Sequence, residues 1–209
     1  MEEPGTEPVA PVRRMPRAQR REQILDAATR AFARTGFTET GLDDIAAEAG
    51  ISRVILYRHF DSKAALYRAV LDRACVRLDA RVGSDDFSER SIPALLEAAT
   101  DDPDGFRLLF RYAAREPEFR DLTDSLTAAS AEITYRSLAG LIGEGAWARW
   151  ATQVVLTLAT EGVIAWLDAG RPDPDQAARR IGAAIDGVID AARGRLRTAA
   201  PAADGDARG

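Results

Sequence analysis

The 209-residue chain is 46% hydrophobic, enough for a substantial buried core in one large or two small domains. A single cysteine, Cys75, and a single histidine, His59, exclude an intrachain disulfide, a cysteine-rich zinc site and most other metal constellations, so no cofactor is expected. The net charge of −5 argues against nucleic acid only weakly, because residues 13–63 hold ten Lys/Arg against seven Asp/Glu whereas residues 64–209 hold eighteen against twenty-three.

Residues 1–15 and 198–209 carry Pro, Gly, Ala and charge without periodicity and read as disordered tails. The acidic, proline-rich start has no apolar signal core, and no run of about eighteen apolar residues is seen, so a cytoplasmic protein without a membrane segment is expected. A first helix is predicted from Pro16 to about Thr35, with Ile24, Leu25, Ala28 and Phe32 on one stripe and Gly36 as its stop. Thr40 is expected to cap a second helix, with Asp43 three residues on as the acidic half of a capping box. That helix ends at Gly50. Ser52 caps a third, short helix, and Ile51 and Leu56 are spaced as a hydrophobic staple. Asp61 or Ser62 caps a fourth, along which Leu66, Leu71, Cys75 and Leu78 recur at helical spacing up to the break "GSDDFSER".

Five further helical segments are predicted beyond residue 90, punctuated by Pro103, Pro117, "GEG" at 143–145 and "DAGRPDPD" at 168–175. With sparse β-branched and aromatic residues and no period-two alternation, the expected fold is all-α with about nine helices. The span between Arg149 and Glu161 has no charge, so the helix from about Ala146 to Ala169 must be covered on most sides. The last helix, about Pro174 to Leu196, carries Ile181, Ile185, Val188, Ile189 and Ala192, flanked by the small residues Gly182, Ala183 and Gly187 that let a neighbouring helix approach.

The stretch "ISRVILYRHFDSKAALY" concentrates Arg53, Tyr57, Arg58, His59 and the only lysine, Lys63. Short helices joined by "EAGIS" fit a helix-turn-helix, in which the second helix is the reader. Leu56 and Phe60 face inward there, leaving Arg53, Val54, Tyr57 and Arg58 outward. Such a face suits a major groove, since arginine bonds bidentately to guanine and an apolar side chain meets the thymine methyl. His59 and Lys63 flank the next helix start, where an anion such as phosphate is expected.

Residues 20–66, through "AATRAFARTGF", "LDDIAAEAGIS" and "LYRHF.SK", resemble the DNA-binding domain of the TetR family of transcriptional regulators. The resemblance implies base reading by Arg53, Val54 and Ile55, backbone contacts from Tyr57 and His59, a phosphate held by Lys63, and either role for Arg58. Thr40 and Ser52 complete the candidate DNA-binding set. Gly41 stands where a phosphate-contacting threonine is frequent in the family, and Val54-Ile55 replaces a common Gly-Thr pair. The domains implied are a helix-turn-helix head at 16–82 and a ligand-binding and dimerisation domain at 83–197.

In that second domain the aromatic residues Phe106, Phe110, Trp150 and Trp166 are candidate pocket walls. Gln153, Thr157 and Glu161 are the candidate polar anchors, because a buried carboxylate needs a partner. Arg107, Arg111 and Arg115 repeat every four residues as a basic strip that faces a pocket, an interface or solvent. The reading is a non-catalytic, ligand-responsive repressor that binds a pseudo-palindromic operator as a homodimer through its last two long helices and is released by a small-molecule effector. An activator or a ligand-independent regulator is the alternative within the class. A small helical enzyme or an interaction scaffold is the alternative outside it.

Overall fold

The computed structural model describes residues 15–83 and 87–194. The predicted tail at 198–209, all of the predicted tail at 1–15 except Met15, and Leu196 of the last predicted helix lie outside the described residues. Every regular element among the described residues is helical, as expected. Chain contacts divide the molecule into two units, at 1–70 and 71–209. The division falls inside the fourth helix rather than at residue 82.

In the first unit α1 spans Arg17–Glu39, and the predicted stripe of Ile24, Leu25, Ala28 and Phe32 is buried. Gly36 breaks the helix where expected, with φ at +79°, a conformation that disfavours any side chain. α2 spans Leu42–Glu48, and its cap lies one residue later than predicted. Gly41 is the N-cap and Asp44, not Asp43, reaches back to accept from the Gly41 N–H at 3.1 Å. Thr40 is displaced from capping because its side chain is 3% exposed and its hydroxyl turns inward, donating to the Gly36 carbonyl at 2.6 Å.

α3 spans Arg53–Tyr57, shorter than the eight or so residues its spacing suggests, and α4 spans Lys63–Val82. The Ser62 hydroxyl accepts from the Ala65 N–H at 3.0 Å, which settles the α4 cap in favour of Ser62 over Asp61. Phe32 and Tyr67 meet edge to face at 4.8 Å, joining α1 to α4 in one apolar core.

An ion cluster ties α1 to α2. Arg30 donates to Glu48 at 2.7 Å and Arg34 pairs with the same carboxylate, so that the Arg34 hydrogen bond, outweighing burial, and then Arg30 pull the Glu48 carboxyl down from its ordinary 4.5 to about 2. A folded-state value below the unfolded one contributes stability that is complete above about pH 4.5 and is lost as pH falls toward 2. Both arginines are half exposed, so solvent screening holds the contribution to about 1 kcal/mol. Glu48→Gln is expected to lower stability by about that amount at neutral pH and to flatten the pH dependence below 4.5, as read by urea titrations across that range.

In the second unit α5 spans Ser91–Asp101 and α6 spans Pro103–Arg107. A π-helical turn at Leu108–Tyr112 and two short 3₁₀ turns at Ala113–Arg115 and Pro117–Phe119 follow. α7 spans Arg120–Ile142, α8 spans Ala146–Asp168 and α9 spans Pro174–Ala192, so the five predicted segments are present with their predicted breaks. α8 is the centre of this unit, packed by α5, α7 and α9. By length and composition alone it is also apolar enough to cross a membrane, a property that a buried core helix shares, and Thr152, Gln153, Thr157 and Thr160 interrupt its apolar residues. Cys75 is half-buried on α4, and burial followed by the Asp72 charge pushes its thiol up to about 11, leaving it protonated at neutral pH.

Candidate functional site

The turn between α2 and α3 is built by Gly50, whose φ of +63° lets the Gly50 N–H reach the Ala47 carbonyl at 3.0 Å and the Ile51 N–H reach the Ala46 carbonyl at 2.9 Å. This pair of bonds satisfies the end of α2 and aims the chain into α3. The Ser52 hydroxyl then accepts from the Ile55 N–H at 3.4 Å, keeping its own proton for an outside acceptor.

Along α3 and its continuation, Leu56 and Phe60 are 0% and 4% exposed, so the inward pair is as predicted. Arg53, Val54, Tyr57 and Arg58 are exposed together and Ile55 is half-buried. Val54 at 63% exposure stabilises nothing within the subunit, which makes the face unlike an ordinary solvated one. Arg53 is held in place at one end of it. Its guanidinium donates to Asp43 at 2.8 Å and to the Tyr57 hydroxyl at 3.3 Å, and lies 5.5 Å from the Tyr57 ring centre.

Two of the sequence-predicted contacts sit differently. The Lys63 ammonium donates to the Thr38 and Thr40 carbonyls at 3.0 and 3.1 Å and lies over the Phe37 ring. It therefore ties α4 to the end of α1 with two of its three protons. Thr40, buried and bonded inward, has no hydroxyl to offer a phosphate and leaves the candidate set. His59 is half-buried, and burial followed by the charges of Arg17, Arg20 and Arg21 holds its imidazole below the ordinary histidine value.

The second unit holds a cavity of about 280 Å³ walled by α4, α5, α7, α8 and the π-helical turn. Leu78, Val82, Phe110, Leu126, Ile133 and Leu156 supply its apolar wall. Hydroxyls of Ser130, Thr134, Thr157 and Thr160 and the Gln153 amide supply its polar groups, and among the described residues no charged side chain lines it. Two wider grooves beside α5 and α9 carry Arg81, Glu97, Asp101 and Arg179 on their walls and are more open to solvent. A mostly apolar enclosure with a few neutral polar atoms is the better receptor for a small molecule.

Three of the seven candidate pocket residues, Phe110, Gln153 and Thr157, line this cavity. Phe106 is buried behind it, its ring 4.7 Å from that of Phe110. Trp150 is 41% exposed and packs edge to face on Trp147 instead. Trp166 is buried at the α8–α9 turn, donating to the Pro172 carbonyl. Glu161 corrects the premise of a buried carboxylate: its side chain is 54% exposed and 3.8 Å from Arg111. Thr160 lines the cavity, and one residue further along a helix turns the side chain by about 100° onto the arginine side.

Arg107 and Arg111 pair with Asp168 at 2.8 and 3.0 Å and hold its carboxyl below the usual range, so these two arginines serve the end of α8 and not the cavity. Arg115 is exposed. Sequence reasoning missed the α4 and α7 walls, although Thr127, Ser130 and Thr134 recur at helical spacing beside Leu126 and Ile133.

Residues 24–70 match the family model for bacterial regulatory proteins of the tetR family. The transcriptional activator FasR of Mycolicibacterium smegmatis is 32% identical over 196 residues, covering 88% of this chain and 85% of the relative. The transcriptional regulator TtgR of Pseudomonas putida is 50% identical over 52 residues, 25% of each chain. Among solved structures, a TetR-like transcriptional regulator from Rhodococcus sp. RHA1 superposes with a TM-score of 0.69 at 26% identity, covering 86% of this chain and 96% of that one. A helix-turn-helix head with an outward apolar and basic face, followed by a helical unit similar to FasR over nearly its whole length, assigns the chain: it belongs to the TetR family of transcriptional regulators.

Proposed function

We propose that the chain acts in the cytoplasm as a homodimeric, ligand-responsive regulator. α3 enters the major groove of each operator half-site, and a small molecule in the 280 Å³ cavity changes operator affinity. The observation that carries this reading is the reach of α4. It starts at Lys63, bonded to the end of α1, and Leu78 and Val82 near its other end are walls of the cavity. A ligand pressing on those walls acts on the element that carries the head. Because binding is linked, operator and effector must then change each other's affinity by the same factor.

The chemistry of the wall narrows the effector to a largely apolar molecule with neutral hydrogen-bonding groups. A charged group placed against the leucines and hydroxyls would be desolvated without a counter-ion.

Dimerisation is supported by an open apolar stripe. Trp147 and Trp150 on α8 are 64% and 41% exposed, Val154 and Leu158 follow at helical spacing, and a side chain at Gly187 of α9 would meet nothing within 4 Å in its own subunit. The small residue that admits a neighbour within the chain is Gly162, where an added Cβ would lie 3.4 Å from Ile181. Gly187 is thus left open to a second copy.

Repression by operator occupancy is the first reading. Activation is a second, favoured by the similarity to FasR, named as an activator, over 88% of the chain. Footprinting on the DNA flanking the coding region tests the shared claim, and transcription from that DNA with and without the protein separates the two. Arg53 and Asp43 supply a finer check. Asp43 is exposed and must release Arg53 before that side chain can reach a guanine. Asp43→Ala is expected to strengthen binding to all duplexes, whereas Arg53→Ala costs about 1–3 kcal/mol at one operator position and relaxes the preference there. Equal losses on operator and random DNA for Arg53→Ala would remove it from base reading.

A further inference from the structure

The start of α1 has an electrostatic arrangement that works against the helix. Arg17 and Arg20 occupy its first turn, where no acidic residue stands, Arg21 opens the second turn beside Glu22, and the positive end of the helix dipole disfavours the charges nearest it. Spaced at i, i+3 and i+4, they lie on one side of α1, in line with the buried Ile24 and Ala28. Arg21 lies over the Phe60 ring at 4.9 Å, which sets it against the segment joining α3 to α4, next to His59. Arg20 donates to Gln23 at 2.9 Å. None of the three has a carboxylate partner among the described residues. At His59, burial first and then the three guanidinium charges disfavour protonation.

Several arginines elsewhere are compensated: Arg30 and Arg34 by Glu48, Arg77 by Asp102, Arg107 and Arg111 by Asp168. The trio is different, because it is grouped, exposed or half-exposed, and adjoins the end of the reading helix. Lys63, the other cation expected to hold a phosphate, has given two of its three protons to the Thr38 and Thr40 carbonyls. A grouped set of arginine forks suits a phosphate, which each fork can bind bidentately.

Resting on the function proposed above, we propose that Arg17, Arg20 and Arg21, with His59 beside them, form a phosphate-backbone clamp that grips the DNA strand flanking the groove occupied by α3. The clamp supplies affinity without sequence preference, and Lys63 is a structural tie rather than the main anchor.

The test uses the full chain and a fluorescently labelled random duplex of about 30 base pairs, titrated from about 50 to 200 mM salt, because each neutralised phosphate contributes about 0.9 to the slope of log affinity against log salt. The variant carries Arg17→Gln, Arg20→Gln and Arg21→Gln together, and Arg136→Gln, exposed on α7, controls for loss of positive charge elsewhere. The triple variant should bind more weakly at low salt with a slope shallower by about 2, so that its affinity falls about tenfold less over that range than the parent's. The control should keep the parent's slope. Thermal unfolding gives the readout a structural role would move: relief of repulsion at the α1 start predicts an unchanged or higher Tm, and a lowered Tm with an unchanged slope would overturn the clamp. A parental slope in a fully folded triple variant would overturn it too. If the parent itself fails to bind the duplex at about 50 mM salt, the proposed function falls along with the clamp.

Discussion

Gly187→Arg is expected to convert the proposed dimer to monomer in sedimentation velocity and to reduce operator affinity by about a thousandfold or more, to the level of non-specific binding. Position 187 is exposed on α9 and an added Cβ meets nothing within 4 Å, so the subunit itself loses no packing. Replacing a mid-helix glycine also favours the helix by up to about 1 kcal/mol. The whole effect must therefore come from the partner, where a guanidinium would be buried in an apolar, close-approach seam without a counter-charge. A lone subunit presents one reading helix and loses the two-site geometry that a palindrome demands. A variant that stays dimeric at micromolar concentration would move the interface away from α8 and α9.

Thr157→Trp is expected to abolish small-molecule response while leaving operator affinity within about twofold of the parent, because an indole at that point of α8 occupies much of the 280 Å³ cavity. Thr157 is exposed toward the cavity and its hydroxyl is bonded only to the Gln153 carbonyl of its own helix, so the substitution breaks no cross-helix bond. N-phenyl-1-naphthylamine, an uncharged apolar fluorophore, is a direct probe, and its affinity should fall by at least about tenfold, or about 1.4 kcal/mol. Glu161→Gln and Trp166→Ala should bind the dye as the parent does. Those side chains lie outside the cavity, one facing Arg111 and one packed at the α8–α9 turn. Loss of dye binding in either of them, with Thr157→Trp unaffected, would place the site elsewhere.

The head was legible because its signals are local. Gly36 and Gly50 adopt the positive φ that only a break requires, Ser52 and Ser62 cap what they precede, and the Leu56–Phe60 spacing fixes which face of α3 is left outward. Where local reading slipped, at Thr40, a tertiary bond won: the hydroxyl satisfied the Gly36 carbonyl of α1 and passed the cap to Gly41. Lys63 slipped for the same reason, since the exposed carbonyls at the end of α1 are invisible from residue 63 in sequence.

The second unit was legible in its helices and not in its cavity. The absence of charge from residue 150 to 160 implied a helix covered on most sides; α5, α7 and α9 pack on α8, yet Trp150, Gln153 and Thr157 stay exposed in the subunit. Which polar residues face inward depends on helix phase to within one position, and that resolution separates Thr160, in the cavity wall, from Glu161, paired with an arginine. The partner that Arg107 and Arg111 take is not the nearby Asp104 or Glu118. It is Asp168, some sixty residues away.

Selection of bound sequences from a pool of random duplexes tests the central claim most directly, because it asks the protein for its own operator. The account predicts enrichment of one inverted repeat, its half-site centres about one helical turn or 34–36 Å apart, with the protein bound in whole dimers. It further predicts that Arg53→Ala selects the same repeat with one position in each half relaxed. Recovery of random sequence, or of a single half-site bound by one subunit, would contradict it.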